Sequence, residues 1–213
     1  MRKYLFPMIL ILLSVIAWLV AWPYLPSEIA THWNAKGEVN GYSSRFGATL
    51  IMNGLLIFLY FLFLVLPKVD PKKNNYRLFS KSYTIISNTV LVIFFILSLL
   101  TLLYSLGYPI PMAGLSPFIV GAIFIVLGNF MQTIRPNFFL GVRTPWTISN
   151  ENVWRKTHRL AGKFMFIAGI IIILSVFFPD NWESAIIITC AVLSVGIPAC
   201  YSYWVYKNEI LNK

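Results

Sequence analysis

Residues 84–106 read TIISNTVLVIFFILSLLTLLYSL, an apolar stretch that contains no Asp, Glu, Lys, Arg or His. A helix needs roughly 20 mostly apolar residues to cross a bilayer core of about 30 Å. Similar stretches occupy residues 5–22, 48–66, 117–134, 161–178 and 184–206. The sequence therefore predicts an all-α integral membrane protein with six transmembrane helices.

The composition agrees with a membrane protein. Hydrophobic residues make up 58% of the chain and charged residues only 11%, whereas soluble domains contain about 25% charged residues. The net charge of +10 would otherwise favour a nucleic-acid partner. Here the basic residues lie beside apolar stretches, where they face anionic lipid headgroups. Membrane lipid is the expected partner, and direct nucleic-acid binding is not expected.

The basic residues are sorted between alternate loops. All but two of the 17 Lys and Arg residues lie at the termini, in the second and fourth loops or, as Lys163, directly after the fourth loop; the exceptions are Lys36 and Arg45. Cytoplasmic loops of membrane proteins carry an excess of Lys and Arg. This pattern predicts that both termini and loops 67–83 and 135–160 are cytoplasmic, and that loop 23–47 is a structured extracellular loop.

The spans and loops predict three segments. Residues 1–66 form an N-terminal two-span unit around loop 23–47, and residues 67–116 add the basic inner loop and the third span. Residues 117–213 form a three-span unit with cytoplasmic loop 135–160. The two long loops take equivalent places in two three-span halves, as in an inverted repeat, although no residue-level repeat supports one.

The span interiors carry only small and uncharged polar groups. Gly121 and Gly128 are seven apart on one helical face, and Asn129 and Gln132 are three apart. Small residues allow close helix approach and amides bond across helices, so helix packing is expected; a substrate path is the alternative. Proton-coupled transporters usually carry ionisable groups at membrane depth, and none is visible here.

Loop 135–160 has the features of an ordered segment. Gly141 permits a turn, and Pro145 restricts Thr144 to an extended conformation. Ser149 is a suitable N-cap for a helix that starts near Asn150 and continues into the fifth span. The sequence thus predicts a cytoplasmic interfacial helix before the fifth transmembrane helix.

This predicted helix carries an aromatic face beside a basic one. Trp154 and His158 are four residues apart on one face, and Arg155 and Arg159 lie on its neighbour. Lipid anchoring explains Arg and Trp at an interface. A rigid turn that presents Arg143 and Trp146 is more than anchoring requires, and it favours a docking site for a partner or a clamp within the bundle.

Two motifs together resemble a known family. The candidate residues of loop 135–160 are Asn137, Gly141, Arg143, Thr144, Pro145, Trp146, Thr147, Trp154, His158 and Arg159. This arrangement resembles the hallmark of the SdpI family. The candidate residues of the outer loop are Pro26, His32, Trp33 and Gly37. Their pattern resembles the small domain of unknown function that often precedes the hallmark.

The resemblance implies a function that spacing alone does not. SdpI-like proteins are bacterial membrane immunity proteins that give resistance to a secreted toxic peptide. The founding member also acts as a signal receptor, which sequesters a soluble transcriptional autorepressor at the membrane. The resemblance therefore implies a peptide toxin as the partner outside and an autorepressor as the partner inside.

Other function classes find less support. The sequence contains no Gly-x-Ser-x-Gly, His-Glu-x-x-His or phosphate-loop motif. We therefore expect that the protein is not an enzyme. One histidine, His32, with two loosely spaced Glu residues is weak evidence for a metal-binding site. We therefore expect no metal or other cofactor. A transporter or exporter of a small amphipathic compound is the alternative function, and flux into proteoliposomes would distinguish it. A purely structural membrane protein is a third possibility.

Overall fold

The computed structural model describes residues 2–34 and 37–211. Over these residues the chain forms seven α-helices and one two-stranded sheet. The helices are α1 (Arg2–Ala21), α2 (Arg45–Val69), α3 (Ser80–Ser105), α4 (Met112–Met131), α5 (Pro145–Ser149), α6 (Glu151–Leu174) and α7 (Asp180–Tyr206). All but α5 are long and apolar enough to cross a membrane, which confirms the predicted six-span, all-α class. Which ends face the cytoplasm stays a prediction.

The loop between α1 and α2 contains the sheet. Strands β1 (Glu28–Trp33) and β2 (Val39–Ser44) pair antiparallel, and the register is irregular on both sides of His32. Ser27 at the base accepts a backbone hydrogen bond from Arg45, at the start of α2. A structured loop was expected here, but a β-hairpin was not. Lys36 is one of the two basic residues that do not lie in a segment predicted to be cytoplasmic. It lies outside the described residues.

The chain divides into two compact units. The first comprises Met1–Leu64 and Ser87–Ser116. Its apolar core includes Trp18, Ile29 and Leu102. Within it, Ser14 donates to Asn53 over 2.8 Å, and the Trp18 indole donates to Ser98 over 2.9 Å. Polar groups in these spans therefore join helices to one another, as the sequence predicted.

The second unit comprises Val65–Ile86 and Pro117–Lys213. Helices α4 and α6 approach closely at glycine pairs. A Cβ built on Gly128 would lie 2.8 Å from the carbonyl oxygen of Gly162, and one built on Gly121 would lie 2.8 Å from that of Gly169. The close packing expected from Gly121 and Gly128 is therefore present. The division into three sequence segments stays a prediction.

Several predicted boundaries shift. The basic loop 67–83 is shorter than expected, because α2 continues to Val69 and a 3₁₀ helix (Lys73–Phe79) leads directly into α3. Helix α4 ends at Met131, so Gln132, which the spacing placed on the same helix as Asn129, lies in the turn just beyond it. The helix that precedes the fifth span does run without a break into it, as α6.

Candidate functional site

The segment between α4 and α6 is held by one buried amide. Asn137 is 1% exposed. Its Nδ2 donates to the carbonyl oxygens of Arg135 and Leu140, and its Oδ1 accepts from the backbone N–H groups of Phe139 and Leu140. One side chain thus satisfies four backbone groups in a turn that has no regular secondary structure.

A histidine of α6 closes the same turn. His158 is fully buried and stacks on Trp154 with ring centroids 4.0 Å apart. The Val142 N–H donates to His158 Nε2 over 3.1 Å, so the opposite nitrogen, Nδ1, carries the proton and donates to the Trp154 carbonyl. The Trp154 indole donates to the carbonyl of Ile134. The aromatic face predicted for α6 therefore anchors the loop rather than lipid.

Helix α5 starts at a reciprocal cap. Thr144 is extended, as Pro145 requires, and its hydroxyl accepts from the Thr147 N–H while the Thr147 hydroxyl accepts from the Thr144 N–H. Asn150, not Ser149, caps α6, since its side chain accepts from the first-turn N–H groups. The predicted cap was therefore one residue early, because the Ser149 hydroxyl donates to the carbonyl of Trp146 instead.

The same short helix packs against α7. The Thr144 hydroxyl lies 3.0 Å from that of Ser202. The Trp146 and Tyr203 rings have centroids 5.0 Å apart. In the helical turn that follows α7 (Lys207–Leu211), Glu209 accepts from Asn152 and pairs with Lys156 on α6. Helix α5 thus belongs to a braced unit with α6 and α7.

Burial divides the ten predicted loop residues into a scaffold and a surface. The buried ones are Asn137, Thr147, Trp154 and His158, and the exposed ones are Arg143, Pro145 and Arg159. Gly141, Thr144 and Trp146 are half-buried. The Arg143 guanidinium donates to the carbonyl of Phe138, which orients an exposed positive charge on a rigid support.

Sequence reasoning missed Asp70. This carboxylate is 2% exposed and accepts from the Lys72 N–H at 2.7 Å, the Tyr76 hydroxyl at 3.0 Å and the Phe138 N–H at 2.9 Å. It ties the segment after α2 to the segment after α4. Asp70 is the single acidic residue between residues 39 and 150, and that isolation in a basic stretch was the available signal.

The hairpin brings the outer-loop candidates together. His32 is exposed and its Nδ1 donates to Oδ1 of Asn40. The Trp33 ring meets Tyr104 edge-on at 5.3 Å. Pro26 precedes β1, and Gly37 has a φ of +78° in the connection between the strands. Among the described residues, no three His, Cys, Asp or Glu side chains are grouped to hold a metal.

Six spanning helices and a rigidly braced polar loop define a multi-pass helical protein of the cell membrane. The family model for the SdpI/YfhL protein family matches residues 133–202, and that for a domain of unknown function (DUF1648) matches residues 9–57. The chain is 33% identical over 208 residues to the immunity protein SdpI of Bacillus subtilis (strain 168), covering 98% of each.

The chain therefore belongs to the SdpI family, as the resemblance of its motifs predicted. This family is not a family of enzymes. No solved structure matches the chain.

Proposed function

We propose that this protein is a membrane immunity protein that gives its cell resistance to a secreted toxic peptide. The observation that carries the proposal is the 33% identity to the immunity protein SdpI over 98% of both chains. Both parts of the match contribute, because the family models cover the hairpin region and the loop between α4 and α6.

The hairpin is the surface proposed to meet the toxin. On the predicted topology the hairpin is the large extracellular segment of the chain. It carries the exposed side chains of His32 and Tyr42, of which Tyr42 is 63% exposed. Trp33 is half-buried against Tyr104, so its role includes packing. His32 therefore tests surface contact more cleanly than Trp33 does.

Expression in a toxin-sensitive strain tests the proposal. Cells that carry the chain should survive the toxic peptide, and cells with an empty vector should not. His32→Ala should lower the tolerated toxin concentration about tenfold, as expected for loss of a contact of about 1.4 kcal/mol. The control is Tyr108→Ala, an exposed residue between α3 and α4, which should protect fully. Equal killing with and without the chain, at verified membrane levels, would contradict the proposal.

We further propose that the loop between α4 and α6 recruits a soluble autorepressor in the cytoplasm. Its support is the exposed Arg143 on a buried scaffold, together with the braced α5. A reporter under repressor control should be induced by toxin only in cells that carry the chain. Resistance without induction would remove this receptor role and leave the immunity role intact.

A further inference from the structure

A cleft of ≈ 410 Å³ opens between the end of α4 and the start of α6. Its lining includes three arginines, Arg135, Arg155 and Arg159, together with Glu151. Pockets that hold small ligands measure about 300–1,000 Å³. The cleft therefore has room for more than a single inorganic ion.

The charges in the cleft are not balanced. Arg135 pairs with Glu151 at 3.8 Å, and Arg155 donates to the neutral side chain of Asn152. No ion pair joins Arg159 to any residue in the described part of the chain. Three positive charges thus face one negative charge, and the excess favours an anionic ligand.

The cleft also has a fixed apolar side. Trp154 is 2% exposed, so it supports the wall from within rather than offering a contact surface, and its hydrogen bond to the Ile134 carbonyl over 2.8 Å holds it in place. Leu78, which is 70% exposed, forms another part of the lining. A ligand with both an anionic group and apolar parts would complement these walls.

The position of the cleft selects the kind of ligand. The fourth spanning helix ends at Met131 and the fifth begins at Glu151, and the cleft lies at these two ends. Lipid headgroups occupy this level of a membrane. Arg forms forked hydrogen bonds with phosphate oxygens, and basic pockets between transmembrane helices bind anionic headgroups.

We propose that this cleft is a binding site for the phosphodiester of an anionic phospholipid. Arg155 and Arg159 bind the phosphate oxygens, and Arg135 adds positive charge while it stays paired with Glu151. The glycerol and first acyl carbons contact Leu78, the exposed apolar residue of the lining. The site goes beyond immunity, because it assigns a specific lipid ligand whether or not a toxin is present.

Native mass spectrometry of the full-length protein in neutral detergent tests the site. Phosphatidylglycerol and phosphatidylcholine are titrated separately, and bound lipid is counted. The wild-type protein should retain phosphatidylglycerol in preference. Arg155→Gln/Arg159→Gln should weaken this binding about tenfold or more, because charge-assisted hydrogen bonds are lost.

The matched control is Lys163→Gln/Lys207→Gln. Both lysines are exposed, neither lines the cleft, and the pair removes the same two charges. Preserved binding in this control supports a built site. Equal weakening would overturn it in favour of general surface charge, and so would equal retention of phosphatidylcholine. Displacement of the lipid by soluble glycerol phosphate would reassign the cleft to a soluble phosphate compound and overturn the lipid assignment.

Discussion

The imidazole of His158 occupies the space that a side chain at residue 141 would need. Gly141 has a φ of +100°, and a Cβ built there would lie 2.1 Å from His158 Nε2. That nitrogen already accepts the Val142 N–H. Glycine is therefore required at this position for two reasons. The backbone conformation favours a residue without a Cβ, and the His158 ring fills the space that a Cβ would need.

Gly141→Ala should strongly destabilise the second unit. The left-handed conformation costs about 1–2 kcal/mol for a residue with a Cβ. Displacing His158 also leaves the buried Val142 N–H without its acceptor, at a cost of about 1–3 kcal/mol. The melting temperature of the purified protein in detergent measures the loss.

The control for this variant is Gly107→Ala. Gly107 has a φ of +90°, but apart from its chain neighbours no described residue has an atom within 4 Å of a Cβ built there. It should show the conformational cost alone. Equal melting temperatures for the two variants would show that the contact with His158 adds nothing.

Asp70→Asn should destabilise the link between the segments that follow α2 and α4. Oδ2 of Asp70 accepts from both Tyr76 and Phe138, and Oδ1 accepts from Lys72. Asn replaces one of the two carboxylate oxygens with an NH₂ group. This group is itself a donor, so it cannot accept the hydrogen bond made at that position. We expect a loss of about 1.5–3 kcal/mol, measured as a lower melting temperature.

Glu151→Gln is the matched charge control for Asp70. The Glu151 side chain is 72% exposed and pairs with Arg135 at 3.8 Å. Surface ion pairs contribute about 0–1 kcal/mol, so the melting temperature should hardly change. If both variants lose the same stability, net charge rather than the buried hydrogen bonds of Asp70 is responsible.

The features that sequence predicted are those set by local pattern. Apolar length predicted the six spans, and helical spacing placed Trp154 and His158 on one face of α6. Small residues at Gly121 and Gly128 predicted close helix packing. Each of these depends on residues within a few turns of one another, so the sequence contains the signal.

The features that sequence missed depend on distant partners. Phe138 bonds Asp70 across 68 positions, and no local pattern marks that pairing. The cap of α6 is a local exception: Ser149 and Asn150 are both competent caps, but the Ser149 hydroxyl donates to the carbonyl of Trp146. In the hairpin Gly41 pairs with His32, and a Cβ built on Gly41 would lie 2.9 Å from the His32 Cβ.

The predicted topology gives a labelling result. Cys190 and Cys200 are first replaced by Ser, since they are the two native cysteines. A cysteine at Lys36 should then react with a membrane-impermeant maleimide in intact cells. A cysteine at Lys73 should react only after permeabilisation, because the basic loop is expected inside. The reverse pattern would overturn the orientation.

Trp146→Ala should loosen the contact between α5 and α7. The rings of Trp146 and Tyr203 are 5.0 Å apart, and such pairs contribute about 0.5–1.5 kcal/mol beyond their burial. We expect a lower melting temperature, with resistance and repressor recruitment both reduced. Trp182→Ala, at a residue 59% exposed, is the control. An unchanged melting temperature for Trp146→Ala would exclude the idea that Trp146 clamps α5 to α7.

Arg143→Lys separates partner docking from support of the fold. Arg143 is exposed and donates to the Phe138 carbonyl, so stability should change by no more than about 1 kcal/mol. Lys keeps the charge but cannot reproduce a forked hydrogen bond. We therefore expect normal melting and toxin resistance but reduced repressor recruitment, measured with the induced reporter. Wild-type recruitment in Arg143→Lys, together with wild-type behaviour of Trp146→Ala, would leave lipid anchoring as the role of this motif.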